Sequence, residues 1–141
     1  MSARSKARKR ALDILFEADA KGIPIQTVLA DTVRRRSSAG EPELNPYTVQ
    51  LVEAIAANGE AVDDGIRSHL DSWDLQRLPS VDRSILRIGA YEVLFAEDVP
   101  NGVAIAEAVE LAKSLSTDES PAFINGVLGG ISRGATAPTA E

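Results

Sequence analysis

The side chains able to do acid–base or covalent chemistry are few, and they are badly spaced for it. The chain has one histidine, His69, and no cysteine. His69 stands between Ser68 and Leu70 with no second His or Cys to complete a zinc set, so it reads as a surface or half-buried structural residue. Asp63–Asp64 and Asp118–Glu119 are adjacent carboxylates. Neighbours in a helix point to different faces, and neither pair fits a calcium loop, so both read as solvated acids. Gly126, Gly129 and Gly130 fall late in a helical pattern rather than after a strand, which makes them neither a phosphate loop nor a dinucleotide fingerprint. No HExxH or Walker pattern occurs. The expectation is a protein that is not an enzyme and that carries no metal and no cofactor.

The other chemistry on offer is charge. Arg4, Lys6, Arg8, Lys9 and Arg10 crowd the first ten residues, which hold no acid. With a formal net charge of −6 overall, the other 131 residues carry −11. A basic arm on an acidic body binds a polyanion at one place while the body repels it. The arm has helical spacing, with Ala7, Ala11, Ile14, Leu15 and Ala18 on one face. A helix starting near Ser5 puts these cations in its first turns, the wrong end for positive charge. Lys6 and Arg10 are also like charges at i,i+4. A phosphate at that helix start turns both penalties into attractions. Two readings stand on charge alone: a phosphate-binding helix, or a frayed and solvated terminus.

Helices must position the arm. Gly22 and Pro24 end the first one, and Pro24–Arg36 supports a second through Ile25, Val28, Leu29 and Val33. SSAGEPELNP, residues 37–46, has loop composition, and Pro46 suits the first position of a helix. Tyr47, Leu51, Ala54, Ile55, Val62, Ile66 and Leu70 form a long stripe weakened at Gly59 and Gly65. Leu75–Leu78 suits a short turn. Ser80 is placed to cap a helix carrying Val81, Ile85, Leu86, Ile88, Gly89, Val93 and Leu94. Pro100 and Asn101 open another that reaches Leu115, and a last helix runs from Ser120 to Ile131. Strand alternation is missing. The class is all-α, six or seven helices in short-loop antiparallel packing. Residues 1–133 are read as a single domain, and residues 134–141 as a disordered tail.

Composition sets the remaining bounds. The chain is 141 residues long, enough for one core, and only 4% aromatic, so aliphatic side chains must build that core. Asp13, Glu17 and Asp19 interrupt the run after the basic start, which disqualifies it as a signal-peptide core. No stretch approaches the roughly 20 apolar residues of a membrane span. A cytoplasmic location is expected.

The second half of the chain carries a resemblance. WDLQRL, VDRSILRIGAYEVLF, DVPNGVAIAEAVELAKSLS and DESPAFINGVL follow one another in residues 73–128. DRSILRIGAYE, AVELAK and FINGVL, in this order and spacing, resemble the NusB family, and ARKRALDILFEAD resembles that family's basic first helix. One departure is Ala106, where the family usually has Asn. The resemblance implies two packed antiparallel three-helix sub-bundles. It also implies a transcription antitermination factor that binds boxA-type single-stranded RNA in nascent, notably ribosomal, transcripts. The implied partner is NusE, a small-subunit ribosomal protein, and the pair helps load an antitermination complex on RNA polymerase. Some relatives are homodimers that hide the RNA surface.

Residue roles follow from the resemblance. Arg4, Lys6, Arg8, Lys9 and Arg10 are expected to contact phosphates. Arg83 and Arg87, at i,i+4 beside Asp82, are ordinary surface cations on spacing alone and RNA contacts by resemblance. Phe123 is either a core anchor of the last helix or an exposed ring stacking on a base. Glu119 and Asn125 share its motif and can meet base edges, although Asn125 also suits helix packing. Phe16 and Asp82 match the protein-partner surface, where an exposed ring suits a protein better than RNA. Trp73 and Tyr91 are assigned to packing.

Two other functions fit parts of this pattern. A NusB-like domain also precedes the catalytic part of some ribosomal RNA cytosine methyltransferases, but that requires a long Rossmann-like extension, and this sequence ends soon after FINGVL. A protein-binding homodimer without RNA activity is the other, and the basic arm argues against it.

Overall fold

A computed structural model describes residues 2–71 and 74–136. Among them are seven α-helices, a 3-10 turn and no strand. The packing assigned to Trp73 and the disorder assigned to residues 137–141 lie outside the described residues. The chain divides into two compact units, Met1–Asn58 and Gly59–Glu141.

The first unit holds α1 (Ala3–Lys21), α2 (Ile25–Ser38) and α3 (Pro46–Ala57), each packed on the other two. Helix α1 starts two residues earlier than its spacing suggests. The Ser2 hydroxyl accepts from the Ser5 amide at 3.0 Å, satisfying one of the amides that a helix start leaves open. Gly22 ends it at φ 66°, a left-handed cap open to glycine at no steric cost. Asn45 caps α3 by accepting from the Tyr47 amide at 2.8 Å, with Pro46 at the first helical position as expected. The Thr48 hydroxyl then donates to the Ala7 carbonyl at 3.0 Å, fastening the start of α3 to α1. Leu12, Leu15, Leu29, Leu51, Val52 and Ile55 are buried and form the core.

The second unit holds α4 (Gly59–Arg67), the 3-10 turn Leu75–Arg77, α5 (Ser80–Phe95), α6 (Asn101–Leu115) and α7 (Ser120–Thr136). The long stripe seen in sequence is therefore broken at Asn58–Gly59, between α3 and α4. Helices α5, α6 and α7 pack on one another, and α4 rests on α5 and α7. Gly89 and Gly130 mark close approaches in this packing. A Cβ at Gly89 would lie 2.5 Å from a Leu128 methyl and 3.4 Å from the Ala108 Cβ. At Gly130 a Cβ would lie 2.5 Å from the His69 ring, whose Nδ1 is 3.1 Å from the Gly65 carbonyl oxygen. His69 is thus a half-buried packing residue of α4's end. Ser80 does not cap α5, because Pro79 holds the cap position and makes no side-chain bond. The Ser80 hydroxyl instead accepts from Arg83 Nη2 at 3.2 Å. Helix α7 continues past Arg133 to Thr136.

Candidate functional site

The basic arm is ordered helix, and α3 holds it. Arg4 places its guanidinium carbon 4.2 Å from the centre of the Tyr47 ring, and Arg8 does so at 5.6 Å. A cation over an aromatic face gains about 0.5–1 kcal/mol at an exposed site. Tyr47, read in sequence only as one member of an apolar stripe, therefore orients the arm. No local sequence signal links it to residues some forty positions earlier.

The five arm cations are not equivalent. Arg4, Lys6 and Arg10 are exposed, and Lys9 is partly so. Lys9 Nζ donates to both Asp13 carboxylate oxygens at 3.0 Å. Such exposed i,i+4 pairs contribute about 0.3–0.5 kcal/mol, so a phosphate can displace Asp13. Arg8 is buried at Tyr47, a correction to its expected role as a phosphate contact. Its position on the same face as Ala7 and Ala11, rather than its charge, decides its environment.

Phe16 is 40% exposed on α1, which fits a ring offered to a protein. Glu17 beside it accepts from Lys21 Nζ at 2.8 Å. That hydrogen bond, with added attraction from Lys21 and Arg35, holds the Glu17 carboxyl below the usual carboxylate range.

In the second unit the expected contacts separate into two groups. Glu119 and Asn125 are exposed and Phe123 is half-buried, all at the start of α7. Glu119 and Phe123 line an open depression of about 330 Å³ together with Leu78, Pro79 and Asp82. Phe123 is thus neither a core anchor nor a fully presented ring.

The second group points inward. Arg83 is 7% exposed, and its Nη1 donates to the carbonyls of Leu75, Gln76 and Leu78 at 3.1, 3.2 and 2.8 Å. It ties the 3-10 turn to α5 instead of presenting a charge. Arg87 forms a two-point ion pair with Asp63 of α4, at 2.9 and 3.1 Å. Asp82 is 5% exposed and accepts from Ser116 Oγ at 2.5 Å and Ser120 Oγ at 2.9 Å. Ser116 closes α6 and Ser120 opens α7, so Asp82 holds the turn that presents Glu119 and Phe123. Asp63, Ser116 and Ser120 were not picked out in sequence as members of these clusters. The serines carried a weak signal, being hydroxyls at helix ends, where they cap. Tyr91 stacks on Phe95 with ring centres 5.7 Å apart. Ala106, at the family's usual Asn position, is exposed on α6.

Among the described residues no cluster of His, Asp or Glu is placed to hold a metal ion, and no helix is long and apolar enough to cross a membrane.

Comparison with known proteins bears on these surfaces. The model of the NusB family matches residues 5–133. The transcription antitermination protein NusB of an Arthrobacter species (strain FB24) is 51% identical over 129 residues, which covers 92% of each chain. Among solved structures, T. maritima NusB is 30% identical, with a TM-score of 0.81 over 94% of this chain and 92% of that one. A chain from a structure of antitermination factors NusB and NusE in complex with double-stranded RNA is 26% identical. Its TM-score is 0.80, over 95% of this chain and 98% of that one.

Proposed function

This chain belongs to the NusB family, and from that premise we propose that it is a cytoplasmic transcription antitermination factor that acts by binding and not by catalysis. It binds boxA-type single-stranded RNA in nascent ribosomal transcripts together with NusE, and the pair helps load an antitermination complex on RNA polymerase. The observation that carries this reading is the cationic face of α1, clamped at Tyr47, in a chain that shares its fold with a NusB captured with NusE and RNA.

Burial refines the residue assignments. The direct RNA contacts are Arg4, Lys6, Lys9 and Arg10 on α1, with Glu119 just before α7 and Phe123 and Asn125 on it. Arg8, Arg83 and Arg87 position these surfaces through Tyr47, the 3-10 turn and α4. Phe16 is the exposed partner contact, and Asp82 holds the turn that presents Glu119 and Phe123.

The test is RNA binding across a salt series. Replacing Arg4, Lys6, Lys9 and Arg10 with Gln should flatten the dependence of log affinity on log salt by about 0.7 per lost phosphate contact. An unchanged slope and affinity, with NusE present, would refute the α1 surface. The RNA in the solved relative is double-stranded. A duplex competitor that displaces the single-stranded oligomer at equal concentration would therefore replace the single-strand assignment with a duplex one.

A further inference from the structure

Arg34, Arg35 and Arg36 form a second basic run that the α1 surface leaves unexplained. Helices α1 and α2 are joined by the three residues 22–24 and pack together. One contact places the C-terminal half of α2 against α1: Arg35 Nη2 lies 3.6 Å from Glu17 Oε1. Glu17 shares a stripe of α1 with Asp13, Arg10 and Lys6, four, seven and eleven positions earlier, which a 3.6-residue repeat aligns. Arg35 thus borders the stripe that bears Lys6 and Arg10, with Arg34 next to it in the chain. At 1.5 Å rise per residue, Arg10 and Lys6 lie about 10 and 16 Å from Glu17 along the axis.

The three arginines differ in what they already hold. Arg36 is 13% exposed and donates through Nε and Nη2 to the Pro42 carbonyl at 3.0 and 2.6 Å, so it secures the loop after α2. Arg34 and Arg35 are 69% and 64% exposed. Arg34 pairs with Asp31, and Arg35 meets Glu17 and the Thr32 hydroxyl. Ion pairs this exposed add little and are readily exchanged for a phosphate.

We propose that Arg34 and Arg35 extend the phosphate-contacting surface of α1, so that a bound single strand of RNA continues from Lys6 and Arg10 onto the C-terminal half of α2. The proposal rests on the RNA-binding function above. Glu17, set between the two groups of cations, opposes the strand at that point and limits its affinity there.

The full-length chain should be titrated with a boxA-type RNA oligomer by fluorescence anisotropy at several salt concentrations. Arg34→Gln with Arg35→Gln should weaken binding several-fold and lower the salt slope by about 1.4, two phosphate contacts' worth. Arg34→Lys with Arg35→Lys should restore most of the slope, which separates lost charge from lost folding. Glu17→Gln should tighten binding. Suppose the Gln pair keeps wild-type affinity and slope while Lys6→Gln with Arg10→Gln loses both. The extension is then overturned and RNA binding by α1 stands. If neither pair changes binding, or the wild type binds no RNA, both fall. An effect of the Gln pair confined to NusE affinity, with RNA binding intact, also overturns the extension.

Discussion

Whether an arginine can meet a phosphate depends on what its guanidinium already touches. Arg83 has three carbonyls within 3.2 Å of one nitrogen and almost no solvent. Arg4 lies over the Tyr47 face and is exposed. Both are arginines near a helix start, and only the partners distinguish them. Hydrogen bonds from a charged donor contribute about 1.5–3 kcal/mol each, and removing the donor leaves the buried carbonyls unsatisfied. Arg83→Gln should therefore lower unfolding free energy by about 2–4 kcal/mol, less than the sum because the three bonds share one nitrogen. Denaturant melts would measure this. At temperatures where the variant stays folded, its salt slope for RNA should match wild type. Full stability with a reduced slope would return Arg83 to the RNA-contacting set.

At the scale of elements, helix identity was legible because buried positions recur at helical spacing and because Gly22, Pro46 and the Asn58–Gly59 junction punctuate the pattern. Ends were less legible. Helix α1 starts at Ala3, capped by Ser2, rather than near Ser5, and Pro79 rather than Ser80 holds the cap of α5. In both places a hydroxyl stood near the boundary, and spacing alone could not say which residue's backbone leaves the helix. Exposure was readable at Phe16, which is 40% exposed. It was not readable where contacts join distant segments. Asp82 shows the difference: its position suggests a surface acid, yet it receives two hydroxyls from the α6–α7 turn. Asp82→Asn should cost about 1–3 kcal/mol, since an amide accepts these bonds more weakly than a carboxylate. Combined with Ser120→Ala, the loss should be smaller than the two separate losses added, because both changes break one bond. RNA affinity should fall with the loosened turn even though Asp82 touches no RNA. Strictly additive stability losses would show that Asp82 does not hold this turn.

At the scale of the whole molecule, charge sets the terms of assembly. A net −6, with the cations of the arm set against an acidic remainder, should repel RNA away from the basic segments. A basic ribosomal protein seated on the exposed Phe16 region would offset part of that repulsion as well as add its own contacts. RNA should therefore bind the NusE complex more tightly than the chain alone. Linkage then requires RNA to tighten NusE by the same factor, within the usual range of about 5–150-fold for coupled sites. Calorimetry of each ligand with and without the other, at two salt concentrations, measures both factors. They should agree, and both should shrink as salt screens the acidic body. Phe16→Asp adds an acid and removes the apolar contact, so it should weaken NusE binding to the RNA-free chain. The RNA affinity of the chain without NusE should change by much less. If NusE leaves RNA affinity unchanged at low salt, acidic repulsion is not what limits RNA binding by the chain alone.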